Sequence, residues 1–560
     1  MLKIWPVDSL VKVFPDSAPE AEGAIQILAA RGAVESAQLA LQGDRDAAAI
    51  EVAIELPISA DGQRRLEGVS WRRVEYVPVH NPAFSVDPAV RLRNGPSFFP
   101  DPLLDAEALA ARYPGAGWDG GFSGLAPGGL TVPLWITLNV PEDAAPGRYE
   151  GRVTVKAGDD EAALPLIVEV SPARVPAERT LQLTQWFNPQ AIADAGNVTA
   201  WSEEHWRLLG EWGRNLAAHR SNVILTPLTE LLRLTRDGQG KLQVDFALLD
   251  RWVETFRAAG AIGLIEGGHL AGRLTGWESG FALNSFKITA ATGDLEDMKG
   301  RPVEEVSARD FLGELLPALM AHLRKRGWLG QYVQHLADEP VAANAGSYLA
   351  LSELVREFAP ELLRLDATMG SEALVGSVDI WCPQSQEVED ELSFYQERQA
   401  AGDELWHYTC LAPNGAYPNR FLNMPLLGTR VLHWFNFTAG ATGYLHWGFN
   451  QWNTWGSRNG PFSDTEGTNL QGRGHLPAGD THLVYPGPRG RPLDSIRHEM
   501  CLEGVQDYEL LKVLERARPE EAQRLAGEVL PDLKGYVKDV GRFREVRREL
   551  LKAVGEVQTV

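Results

Sequence analysis

Two hydrophobic periods divide the chain. Up to about residue 176, apolar and polar positions alternate in short runs, such as Ser36-Ala-Gln-Leu-Ala-Leu-Gln42, Ala49-Ile-Glu-Val-Ala-Ile-Glu55, Gly147-Arg-Tyr-Glu-Gly-Arg-Val-Thr-Val155 and Leu164-Pro-Leu-Ile-Val-Glu-Val170. A period of two is that of a half-buried strand. Pro, Gly, Asp and Asn punctuate the runs, so residues 1–176 are expected to form an antiparallel β-sandwich. From Leu181 strand and helix signals alternate instead. Strand-like runs begin at Leu181, Asn222, Ala261, Gln331, Leu363, Val378, Glu404 and Thr442, with helical patterns over 202–219, 245–259, 307–326, 342–358, 386–401 and 424–438. Eight strands alternating with helices predict a (β/α)₈ TIM barrel over 177–512, above the fold's typical size of ~250 residues. A doubly wound open sheet is the rival, but it usually carries fewer strands and often a Gly-rich first turn. From about residue 491 the pattern is helical, and 513–560 is expected to be a C-terminal helical segment.

Composition narrows the partners. The 560 residues carry 53 basic and 75 acidic side chains, a net charge of −22. That balance argues against nucleic acid or an anionic membrane, since both reward basic patches. No run approaches the ~18 apolar residues of a membrane span. The start of the chain lacks a signal-peptide pattern, so the expected compartment is the cytoplasm. Cys382, Cys410 and Cys501 show no paired spacing and predict no disulfide framework. No metal or other cofactor is expected: no His-x-x-x-His pair occurs, and Glu404 and His407 lie on opposite faces of one strand. No Gly-x-Ser-x-Gly elbow is present for a serine nucleophile.

Candidate chemistry centres on Gln331-Tyr-Val-Gln-His-Leu-Ala-Asp-Glu-Pro340, a buried strand that ends on two adjacent acids. Barrels of this type place their catalytic groups at that end of their strands. Taken alone, Asp338 would be a helix N-cap and Glu339 a first-turn acid favoured by the helix dipole. The surroundings favour chemistry. Glu266, Trp381, Tyr408, Trp447 and Asn450 fall at the tops of other predicted strands, and Tyr417 and Trp455 lie in the loops after the seventh and eighth. Flat aromatic faces mixed with amides and carboxylates suit a sugar, whose C–H faces stack on rings while its hydroxyls need donors and acceptors. His407 and His446 are read as core residues. Successive strand residues point to opposite faces, so the strand end must kink for both acids to enter one cleft, and Pro340 bars Glu339 from the helical region.

The runs Leu336-Ala-Asp-Glu-Pro340, Trp406-His-Tyr-Thr-Cys410, Tyr417-Pro-Asn-Arg-Phe421, Thr442-Gly-Tyr-Leu-His-Trp-Gly448 and Ser495-Ile-Arg-His-Glu-Met-Cys-Leu-Glu-Gly-Val-Gln-Asp-Tyr-Glu509 together resemble the catalytic domain of glycoside hydrolase family 123. The similarity runs from about residue 130 to 512. It implies a β-sandwich followed by a TIM barrel, and an exo-acting β-N-acetylgalactosaminidase that retains configuration on an oligosaccharide or glycoconjugate. It further implies that Glu339 is the general acid/base and that Asp338 orients the substrate's 2-acetamido group, the internal nucleophile. The helical C-terminal part and the missing secretion signal depart from the family pattern. Two alternatives stand beside this reading: a non-catalytic carbohydrate-binding protein, and a glycosidase with a protein nucleophile such as Glu266.

Overall fold

The computed structural model of the chain describes all residues except 46, 113–121, 127, 453–459, 468–475 and 560. Its N-terminal part is a sandwich of two five-stranded sheets. One sheet runs Leu2–Val7, Val34–Gly43, Thr131–Asn139, Gly68–Val79 and Ser97–Leu104, all antiparallel. The other runs Ile25–Arg31, Asp160–Arg174, Gly147–Ala157, Ala47–Ser59 and Phe122–Ala126, with a single parallel pairing between its first two strands. Alternation sets the faces: along Gly147–Ala157, Tyr149, Val153 and Val155 are buried and Arg148, Glu150 and Arg152 are exposed. Thr131–Asn139 is buried on both faces. Leu134, Ile136 and Leu138 enter the sandwich core, while Trp135 joins the larger core shared with the barrel and its helices.

The barrel is closed and parallel. Its eight strands are Gln182–Gln185, Val223–Thr226, Leu264–Gly267, Tyr332–His335, Leu363–Ala367, Ile380–Cys382, Glu404–Thr409 and Gly443–His446, and the last pairs with the first. Side chains alternate between two layers. Val223, Val333, Leu365, Ile380, Trp406 and Leu445 pack together inside, whereas Ile224, Ile265, Tyr332, Trp381, Leu405 and Tyr444 pack outward against the helices.

Between the second and third strands and their helices the sequence pattern missed short strands. Arg233–Arg236, Leu242–Asp245, Lys287–Thr289 and Leu295–Asp297 form a four-stranded sheet, and Ala271–Arg273 pairs with Phe281–Leu283 as a hairpin. Runs of three or four residues are too short for a period to show. The fourth barrel strand is also shorter than expected and stops at His335, before the two acids.

Three helices, Ile496–Ala517, Pro519–Val529 and Val540–Thr559, complete the chain. The first is buried on every side from Ile496 to Leu511, so its charged residues need partners. Asp507 accepts from Arg430 Nε at 2.8 Å, Arg547 Nε at 2.9 Å and Trp434 Nε1 at 3.2 Å. Arg547 also bonds Glu35 of the sandwich, and Arg430 bonds Glu503. One carboxylate thus ties sandwich, barrel and C-terminal helices. Removing one member of a buried ionic network strands the others, at about 3–5 kcal/mol. Asp507→Ala is therefore expected to lower unfolding free energy by about that amount in chemical denaturation; a loss under about 1 kcal/mol would show that the network carries no stability.

Candidate active site

The site begins where the fourth strand stops. Past His335 the backbone N–H groups of Leu336 and Ala337 donate to Asp366 Oδ2, each at 3.2 Å, in place of a ladder carbonyl. The chain peels away, and Glu339 N–H rejoins the fifth strand at the Ala367 carbonyl, 3.0 Å away. Glu339 has φ +47°, the left-handed region that L-residues avoid and that Asp338's predicted extended neighbour would not occupy. This is the kink the sequence called for, in a form that Pro340 alone does not dictate. It breaks the strand alternation that would send neighbouring side chains to opposite faces. Arg273 Nη2 holds the strained unit by donating to the Glu339 carbonyl at 2.6 Å.

Below the acids lies a buried row of charge. His335 is held between Glu266 Oε1, 2.6 Å from Nε2, and Asp366 Oδ1, 3.1 Å from Nδ1, and all three side chains are inaccessible to solvent. Asp366 also accepts from Tyr348 Oη at 2.6 Å. Glu266 accepts from Thr184 Oγ1 at 2.5 Å and Trp186 Nε1 at 2.8 Å. Burial works against a charged ring, but the hydrogen bonds and charge of Asp366 and Glu266 outweigh it and raise the His335 imidazole to about 9. His335 is therefore an imidazolium at neutral pH, donating from both nitrogens. The His269 ring lies tilted against that of His335, centroids 4.6 Å apart, and burial, then the charge of His335, pulls it down to about 4.

The two acids differ in their partners. Asp338 keeps half of its side-chain surface open, and Arg273 Nη1 stands 3.9 Å from its Oδ2. The floor of the cleft raises its carboxyl by desolvation, and Arg273 opposes that shift. Glu339 accepts a short hydrogen bond from Tyr408 Oη, which in turn accepts from Gln384 Nε2 at 3.1 Å. Desolvation, then the charge of Asp338, pushes Glu339 up to about 7, against the Tyr408 hydrogen bond and Arg273. Desolvation raises both neighbouring carboxyls, and each opposes ionisation of the other. A proton donor beside a carboxylate is what general acid catalysis requires.

Other residues singled out from sequence scatter. Tyr408 lies in the cleft, against Glu339. Trp447 follows the eighth strand, half-buried, with its indole beside the buried Asp480, whose carboxyl it helps to hold down. Trp381 is not a cleft residue. It is fully buried on the outward face, its Nε1 donates to Asp403 Oδ2 at 3.0 Å, and it packs edge-on to Phe394 at 5.4 Å. Strand alternation demands this, since Ile380 and Cys382 take the inner face. Asn450 is buried and brackets the Asn188 backbone, accepting from its N–H at 2.6 Å and donating to its carbonyl at 3.2 Å. Its amide is closed off from solvent and so is not open to a sugar. Glu266 supports His335 from below and offers no open oxygen. Tyr417 packs under Lys534 Nζ at 4.6 Å, towards the C-terminal helices. Trp455 lies outside the described residues.

Sequence reading missed Arg273, Asp366 and Tyr348. Asp366 ends a predicted strand beside the motif, a signal that was there to use. Arg273 sits on a three-residue strand and left none. Among the described residues, two groups bring His and Asp close enough to hold a cation, His269–His335–Asp366 and His219–Asp494–His498. Neither fits one: both nitrogens of His335 are already committed to carboxylates, and in the second group Arg72 supplies positive charge to Asp494 and Glu499.

Comparison with known proteins agrees with this geometry. The family model for the glycoside hydrolase 123 catalytic domain matches residues 186–514, more than half of the chain. The chain belongs to glycoside hydrolase family 123, and it is a glycosidase by that membership. Among solved structures, a family 123 glycoside hydrolase from Clostridium perfringens, studied for glycolipid glycan hydrolysis, is 14% identical and covers 99% of this chain and 97% of its own, with a TM-score of 0.75. A GH10 xylanase with a bacterial Ig-like domain from termite gut is 10% identical over 87% of this chain and 100% of its own, at a TM-score of only 0.35. The first likeness shows the shared fold; the second carries no argument. No curated protein sequence matches the chain.

The charge on His335 yields a test. Its folded value, about 9, lies above the ~6.5 of an unfolded histidine. The stabilisation is therefore complete below pH ~6.5 and is lost as pH rises through 9. His335→Gln should be clearly less stable than wild type at pH 6, with the gap narrowing towards pH 10. A gap that is constant across this range would show that the ring is neutral.

Proposed function

We propose that this glycosidase removes a terminal β-linked N-acetylhexosamine, N-acetylgalactosamine foremost, with retention of configuration and with the substrate's own acetamide as nucleophile. The observation that carries the reading is that two sequence neighbours share one site, Glu339 bonded to Tyr408 and raised to about 7, and Asp338 facing Arg273. Retaining enzymes with two protein carboxylates place them on opposite sides of the anomeric carbon, ~5 Å apart. Adjacent residues on one loop suit a different division of work. Glu339 gives its proton to the leaving oxygen as the acetamide oxygen closes on the anomeric carbon, and then takes one from the water that opens the ring. Asp338 bonds the acetamide N–H, and its charge counts most as positive charge spreads over the O–C–N unit. Tyr408 and Trp447 form the walls against which the terminal sugar lies.

The two alternatives fare worse. Glu266 is sealed beneath the cleft by three donors and cannot reach an anomeric carbon. A purely binding protein has no use for a glutamic acid raised to about 7 by desolvation and by the charge of its neighbour Asp338. Glu339→Gln should lower kcat/KM by roughly 10²–10⁴-fold on substrates with poor leaving groups. Activated aryl glycosides should lose far less, because they leave without protonation. Equal losses on both would remove Glu339 from the role of acid.

A further inference from the structure

Trp277 is an exposed aromatic that the fold takes trouble to fix. It lies on the tip of the hairpin that follows the third barrel strand, and 54% of its surface is open. Exposed tips are ordinarily mobile and polar. This one is pinned. The Trp277 carbonyl accepts from Arg273 Nε at 3.1 Å and from Asn344 Nδ2 at 3.2 Å. Asn344 also reaches the Ser279 carbonyl at 3.2 Å, and Ser347 Oγ accepts from Phe281 N–H at 2.9 Å. The Arg273 guanidinium lies 3.9 Å from the centre of the indole ring, which fixes the ring's tilt. That same guanidinium holds the Glu339 carbonyl and faces Asp338. One side chain therefore sets both the acid's backbone and the indole.

We propose that Trp277 is the stacking platform for the sugar on the leaving-group side of the scissile bond. This rests on Glu339 being the acid. The terminal sugar occupies the barrel mouth over Tyr408 and Trp447. The oxygen that Glu339 protonates belongs to the next residue, which must pass over Glu339 towards the rim. Trp277 stands on that rim, one guanidinium away from the acid. A pre-oriented indole face matches the flat C–H face of a pyranose and loses little conformational freedom on binding. The ligand class is a β-linked di- or oligosaccharide whose second residue presents such a face.

The test compares two substrates with the same terminal sugar: a disaccharide, and the glycosyl fluoride, whose leaving group is one atom. Trp277→Ala should lose about tenfold in kcat/KM on the disaccharide, chiefly through KM, which corresponds to ~1.4 kcal/mol. Trp277→Phe should recover most of that loss. The fluoride should be hydrolysed within twofold of wild type by both variants. Equal losses on the two substrates, or none on the disaccharide, overturn the proposal. Should wild type hydrolyse no hexosaminide fluoride, the failure lies with the function proposed above. Calorimetric titration with a series of β-linked disaccharides then decides the platform: weaker binding by Trp277→Ala supports it, and equal or absent binding overturns it.

Discussion

The site depends on one substitution of acceptor: a carboxylate takes two backbone N–H groups that a neighbouring strand would otherwise take. By accepting from Leu336 and Ala337, Asp366 ends the fourth strand at His335 and frees the next residues from the pleat. Without that release Asp338 and Glu339 would project to opposite faces. With it, a left-handed residue at Glu339 becomes affordable, held by Ala367 on one side and Arg273 on the other. Strain concentrated at a residue placed for chemistry, and fixed by surrounding contacts, is a common signature of a working site.

Charge is stacked in alternate layers from the barrel interior to the solvent. Glu266 and Asp366 flank His335, so each ring nitrogen has a carboxyl partner although the floor is wholly buried. Above it, Asp338 and Glu339 share one arginine. The floor reaches Asp338 directly, since the charge of Asp366 raises its carboxyl and that of His335 lowers it. Arg273 contributes from the other side. Its charge favours the ionised form of both acids, and its backbone contact fixes Glu339.

Most of the architecture was legible from period alone. The eight barrel strands lie where the alternating runs place them, because buried parallel strands flanked by amphipathic helices leave a strong signal. The position of the acid pair at the top of the barrel was legible as well, from its place beyond a buried strand. What failed did so for physical reasons. Trp381 and Asn450 stand near strand ends and look like ligands by composition. Parity sends the first into the helix layer, and backbone groups claim the second. Glu266 shows how a carboxylate at a strand end can be consumed by its neighbours. Arg273 was invisible because a three-residue strand in a long connection has no period, and its partners are backbone atoms distant in sequence.

The central claim is that the acetamide of the substrate, steered by Asp338, does the work of a protein nucleophile. Replacing its methyl hydrogens with fluorine one at a time weakens the carbonyl oxygen as a nucleophile while changing size little. The most direct measurement is kcat across the N-acetyl, N-monofluoroacetyl, N-difluoroacetyl and N-trifluoroacetyl aryl β-hexosaminides. The account predicts a steep fall at each step in wild type, with Asp338→Asn uniformly slow. A flat series, with a covalent sugar on a protein carboxylate, would contradict it.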